Sequence, residues 1–448
     1  MKCPWPAMAL VAGAVGCEPV LLLGSDRAAL AADGGLADGP SPTDTREDTT
    51  PPDRPQDTTS PDTTLPDTTA PDTSRADTTA PDTVTADTRP DSTPSDAPRV
   101  PAGVIVEVRL GGRFGCGRRS DGSVWCWGAN DRGQLGDGTT MDRPTPAPVE
   151  GVAGAVGLTA GASHACAWRM DGSLWCWGAN AQGQLGDGST SDQPRPVASR
   201  FTGVTLAVAG GRHTCVLGAG GLRCVGDGAR GQLGHGMRAP STTPVAVAVG
   251  FVPTALGLGE AHTCAAIATQ APRCWGANDR GQLGDGTTMD RSAPVAVEDV
   301  PGATALALGA NFACAATSSG LACWGANDRG QLGDGSTMDR PRAVGSLPRV
   351  VELSAGDSHG CALQDDMNLL CVGDNRQGQL GVGDRMDRGR YVRSPSFPRT
   401  IFTSVRAGGG SSCALLGGGT LWCWGRNGNG ELADGTTTDR DMPTLVWR

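Results

Sequence analysis

Fourteen cysteines in this chain fall into seven pairs nine or ten residues apart. Cys116 pairs with Cys126, Cys166 with Cys176, Cys215 with Cys224, Cys264 with Cys274, Cys314 with Cys323, Cys361 with Cys371, and Cys413 with Cys423. Paired thiols hold either a metal or each other. Structural zinc sites use a C-x2-C spacing, which is missing here, so the pairs read as disulfides. Each would close about ten residues, worth roughly 2.5–3 kcal/mol in the chain-entropy model. Disulfides persist in oxidising compartments, which points to an exported protein. The unit that carries the pair recurs every 48 to 52 residues, and such a period marks a stacked or circular repeat architecture.

Two further residue sets have types that do chemistry. His164, His213, His262 and His359 each stand two residues before a cysteine. Imidazoles at one repeat position can ligate a metal, but Phe114, Phe312 and Ser411 fill the same position elsewhere. A position that accepts Phe is more simply a packing or turn residue. Asp137, Asp187, Asp285, Asp334 and Asp434 each lie five residues before a second Asp. Calcium takes such carboxylates; ordinary turn chemistry uses the same Asp and Gly residues. No nucleophile–base spacing is present, so the chain reads as non-enzymatic, with no catalytic residue, cofactor or metal.

Short strands must position these groups. In residues 152–197, Val156–Thr159 is one strand; His164–Arg169 and Ser173–Trp177 form a hairpin around Met170-Asp171-Gly172. A Gly-rich excursion from Gly178 to Gln193 leads to a last strand at Pro196–Ala198. Seven such units predict an all-β, seven-bladed propeller with four-stranded blades. Parity supports the disulfides. A three-residue loop at 170–172 makes residue i face residue 342 − i, which places Cys166 opposite Cys176. In the third and fifth repeats the loop and the cysteine spacing both shorten by one residue. Alternation also puts Trp175 and Trp177 on the face opposite Cys176, where blade-to-blade packing is the expected role. Val225 and Val372 replace the second Trp in repeats three and six, predicting smaller contacts there.

The 448 residues carry a net charge of −10, and Lys2 is the only lysine. From Pro40 to Arg99 there are 13 acidic and 5 basic residues, and residues 1–40 add −2, so the repeat region is neutral. Nucleic-acid binding leaves a cationic footprint and is excluded as an expectation. Residues 1–17 resemble a lipoprotein signal, with Cys17 as the lipidated residue; Ala29-Leu30-Ala31 is a rival cleavage site. No stretch reaches the roughly 18 apolar residues of a membrane span, so the expected membrane link is the lipid alone. Residues 18–99 read as a disordered Pro/Asp/Thr linker, extended like a stalk, and residues 100–448 as the propeller.

The motifs G-x-x-H-x-C-A, D-G-x-x-W-C-W-G-x-N and G-Q-L-G-D-G, with a closing proline strand, resemble the regulator of chromosome condensation repeat family over Val104–Arg448. The cysteine pairs are similar to a bacterial extracellular branch of it. That resemblance implies a seven-bladed propeller, and partners that are proteins or cell-surface ligands. The expected function is a surface-tethered, monomeric binding or inhibitor-like module at the bacterial cell surface or periplasm. A glycan lyase or hydrolase is the alternative. A guanine-nucleotide exchange factor comes third, because a disulfide-bonded exported domain does not reach a cytosolic GTPase. Residues 128–143, 276–291 and 325–340 are nearly identical loops, from tandem duplication or as copies of one binding loop. Their Arg132, Arg280 and Arg329 are the candidate partner contacts, or else solvated turn residues.

Overall fold

The computed structural model describes residues 103–394, 397 and 401–447. Within them lie seven antiparallel sheets of four strands each, every sheet built from consecutive strands in chain order. The first blade is β1 (Ile105–Leu110), β2 (Phe114–Arg119), β3 (Val124–Gly128) and β4 (Arg143–Pro148). The second is β5 (Ala155–Ala160), β6 (His164–Arg169), β7 (Leu174–Gly178) and β8 (Gln193–Ala198). Among the described residues no blade borrows a strand from the other end of the chain, so the ring closes by packing and hydrogen bonds between the first and last blades, among them Gly435 N–H to Pro144 O at 3.0 Å. Cys17, the signal and the linker lie outside the described residues.

Cysteine register follows the parity of the hairpins. In each blade the two cysteines are directly opposite on the second and third strands. Cys116 faces Cys126, Cys166 faces Cys176, Cys215 faces Cys224 and Cys264 faces Cys274. Cys314 faces Cys323, Cys361 faces Cys371 and Cys413 faces Cys423. All seven pairs are disulfide-bonded, with Cα atoms 4.1 Å apart. They are buried structural cross-links: Cys274, Cys323 and Cys371, like the other third-strand cysteines, are 0% exposed. The fourth blade departs from the simple rule. Its turn has two residues, Ala268-Thr269, yet Cys264 and Cys274 are ten apart, because a bulge between Ala265 and Ile267 absorbs the extra residue. Bulges insert one residue without breaking the ladder on either side.

The cysteines and the second Trp of each W-C-W unit meet between blades rather than within them. The Cys116–Cys126 bridge packs against Trp177 of the next blade, and Cys413–Cys423 against Trp127. Each indole also donates its N–H backwards: Trp177 Nε1 lies 2.9 Å from Gln134 O, and Trp275, Trp324 and Trp424 repeat the bond to Gln232, Gln282 and Gln379. Trp127 Nε1 donates to Glu431 O at 2.8 Å and closes the ring. A buried indole needs such a partner. The contacts expected to shrink at Val225 and Val372 are refilled from elsewhere. Phe201 joins Val225 in one inter-blade cluster, and Tyr391 covers Gly333 beside the sixth blade.

Candidate binding face

The turn joining the first two strands of a blade and the long excursion joining the last two emerge on the same face. Around the central channel, the first turns form a ring of small residues. Gly112, Ala162, Gly211, Glu260, Ala310 and Asp357 each donate a backbone N–H to a carbonyl of the next blade, at 3.0–3.2 Å for the first five. Close approach is the reason these positions are small: a Cβ on Gly161 would lie 2.3 Å from Gly210 O and 2.6 Å from His164 Cε1. Glu260 and Asp357 put two carboxylates at this mouth. Burial, with the charge of Glu260, raises the Asp357 pKa against the opposing pull of Arg426.

Under that ring lie the imidazoles. His164, His213, His262 and His359 are fully buried, and so are Phe114 and Phe312 at the same position. Burial pushes His164, His262 and His359 down to about 4 and His213 to about 3, so all four are neutral packing residues near pH 7. Three bond a hydroxyl of the next blade: His164 to Thr214, His213 to Thr263 and His359 to Ser412, at 2.8–2.9 Å.

The long loops of the rim are organised by a buried asparagine. Asn130 Oδ1 accepts the N–H of Leu135, its Nδ2 donates to Asp137 and Thr139, and its own N–H donates to Asp142 Oδ1. Asn180, Asn278, Asn327 and Asn427 repeat the pattern. Gln134 caps the turn by accepting the Arg132 N–H. The Asp137 carboxylate bonds Thr139 and Arg143 as well as Asn130. Though burial opposes it, this hydrogen bonding lowers its pKa. In the third blade the Asn and Asp are exchanged together, for Gly228 and His235. Among the described residues no group of three or more His, Cys, Asp or Glu is placed to hold a metal ion.

Arg132, Arg280 and Arg329 stand on this rim and reach across blade boundaries. Arg132 bonds Asp192 at 3.3 Å, Arg280 bonds Asp339 at 2.9 Å and Arg329 bonds Asp387 at 3.3 Å. Arg230, which sequence reasoning passed over, does the same with Asp290 at 2.8 Å and holds that carboxyl below its usual range. Its G-A-R-G-Q-L-G context was the available signal. Each receiving Asp also accepts the N–H of its own blade's loop Asn. A second set was also missed. Met141, Met289, Met338 and Met386 occupy one loop position, immediately before those aspartates or their counterparts, and are 60–72% exposed. The signal was the repeated M-D-R.

Matches to the Regulator of chromosome condensation (RCC1) repeat cover residues 105–217, 274–316, 322–379 and 402–431. No curated protein matches the sequence. Among solved structures, human WBSCR16 is similar at 19% identity and TM-score 0.66, over 73% of this chain and 94% of that one. Yeast RCC1 (Prp20) bound to Kap60 aligns at 19% identity and TM-score 0.64, over 82% and 91%. Prp20p from Saccharomyces cerevisiae, described with its binding to Gsp1p and histones, aligns at 21% identity and TM-score 0.61, over 77% and 88%. At these identities the likeness is one of fold. Repeat motifs, blade count and family matches agree: the chain belongs to the regulator of chromosome condensation repeat family.

Proposed function

We propose that this propeller is a non-catalytic protein-binding module, of binding or inhibitor type, that works through the face carrying its long loops. One observation carries the reading: four methionines at one loop position, exposed on loops that buried asparagines hold in place. Met is flexible and polarisable and suits adaptable protein contacts, and rigid scaffolds commonly carry recognition on such loops. Most polar groups on the same loops are satisfied internally, which leaves to a partner the apolar contact of the methionines and the remaining N–H groups of Arg132, Arg280 and Arg329. The use of this fold in complexes with Kap60, and its testing against Gsp1p and histones, supports protein as the ligand class. Those particular partners do not carry over at this identity.

In the full proposal residues 1–17 are an export signal, Cys17 is the lipid anchor, residues 18–99 are a stalk, and residues 100–448 are a monomeric propeller. Disulfides in every blade support the oxidising compartment this requires. The test is capture of partners from the host's surface and secreted fractions by the oxidised propeller. Wild type is compared with a variant carrying Gln at Met141, Met289, Met338 and Met386. Selective loss of a stoichiometric protein partner is the expected result. Equal capture by both proteins removes the loop face from the proposal.

A further inference from the structure

The residue before the second cysteine of a blade is Trp125, Trp175 and Trp422 in blades one, two and seven. Each of these indoles is half-buried and stands directly opposite a small residue of the second strand, Gly117, Ala167 and Ala414 respectively. Each is also covered. Arg119 lies 4.1 Å over Trp125, Arg169 lies 4.9 Å over Trp175, and Phe397 meets Trp422 edge-on at 6.1 Å. The fifth blade keeps a small residue opposite, Ala315, but carries Ala322 in place of the indole, and Gly345 faces Ala322 on the last strand.

The result is a cavity of about 390 Å³ on the side of the molecule opposite the long loops, within the roughly 300–1,000 Å³ of ligand sites. Ala322, Ala343, Gly345 and Pro348 line it, with Ser319 and Asp299 at its edge. A Cβ built on Gly345 meets nothing within 4 Å, so the opening extends over the last strand. We infer that this slot is a binding site for an indole ring, presented as a tryptophan side chain by a partner protein. The sister blades supply the argument: at the strand position that Ala322 holds here, blades one, two and seven place the chain's own indole. At the rim of the fifth blade's slot lies the Asp299 carboxylate, 4.0 Å from Arg342 Nη1 and with acceptor capacity left for an indole N–H. The slot is separate from the loop face, so it stands or falls independently of the function proposed above.

The probe is N-acetyl-L-tryptophanamide, followed by saturation-transfer NMR and calorimetry on the oxidised propeller. Saturable millimolar-range binding is expected, with N-acetyl-L-leucinamide at least 10-fold weaker. Ala322→Trp fills the slot from within and is expected to reduce probe affinity at least 10-fold, with a melting temperature equal to or above wild type. If that variant does not fold, Gly345→Leu decides, since its side chain projects into the same open space. The four-methionine variant is expected to bind the probe normally. Absence of probe binding, equal binding of the leucine analogue, or undiminished binding by the slot-filled variant overturns the assignment.

Discussion

His164 Nε2 lies 2.9 Å from Thr214 Oγ1, across the boundary between the second and third blades, and Thr214 Oγ1 in turn donates to Gln184 O at 2.8 Å. The pair explains a variation that looked arbitrary along the chain. Where the next blade offers a hydroxyl, as Thr214, Thr263 or Ser412, the ring is His. Where it offers Ala165 or Gly360, the ring is Phe, as at Phe114 and Phe312. His262 faces Ala313 and is the exception. The flat ring serves the glycine above it, and in three of the four histidines a hydroxyl of the next blade satisfies Nε2.

These imidazoles make stability depend on pH. Burial depresses their folded-state pKa to about 3 to 4, against roughly 6.5 when unfolded. The unfolded chain therefore binds more protons below about pH 6.5. Their contribution is full above that value and is lost as pH falls towards about 4, at about 1.4 kcal/mol per pH unit for each ring. Melting temperatures measured from about pH 7.5 to about 4.5 should show this decline. His262→Phe should flatten it by one ring's share at no cost near pH 7. An unchanged slope in that variant would contradict the assignment of His262 as a buried neutral base.

Trp177→Phe tests the lock between the first two blades. It removes the N–H that reaches Gln134 O and part of a fully buried ring. The expected loss is about 2–3 kcal/mol, from the cavity and the unsatisfied carbonyl together. Denaturant unfolding measures it. Trp175→Phe, on a half-buried ring in the same blade, should lose clearly less.

Ala433 occupies the position that Gly136, Gly284 and Gly381 hold in other blades, with a φ of 63°. A Cβ is disfavoured in the left-handed region. The closing blade therefore carries local strain, and Ala433→Gly is expected to stabilise by about 1 kcal/mol. A fall in melting temperature would mean that contact between the Ala433 methyl and the Trp127 cluster outweighs the strain.

How much of this was legible in the sequence follows the range of each interaction. The Cys166–Cys176 pairing could be read because hairpin parity is local and loop length sets it; Cys314–Cys323 and Cys361–Cys371 follow the same rule. Blade number and strand order could be read because the repeat is complete in each copy. The His164–Thr214 pair could not, since its members are 50 residues apart and join two blades. Nor could the exposed setting of Met141, a residue type whose hydrophobicity suggests the core. The bulge near Ala265 hides a two-residue turn behind the ordinary ten-residue spacing of Cys264 and Cys274. The refilling at Phe201 and Tyr391 was also out of reach, because loops and outer strands supply those rings.

The rim arginines separate a structural role from a recognition role. Arg280 bonds both oxygens of Asp339 and also reaches Asp328, so it ties the fourth blade to the fifth. Such half-exposed ion pairs are worth about 1 kcal/mol or less. Changing Arg132, Arg280 and Arg329 together to Ala should therefore lower stability only modestly. The receiving aspartates keep a second partner, the N–H of Asn180, Asn327 or Asn375, and stay in place. Any large loss of partner affinity then reports direct contact. An Arg already held in one rotamer loses little entropy when a carboxylate or carbonyl of a partner approaches its remaining N–H groups. The expected result is a loss above about 2 kcal/mol in partner affinity, the mark of a hot spot, at nearly unchanged melting temperature. Unchanged affinity would assign the three arginines to holding blades together, and would leave recognition to the methionines beside them.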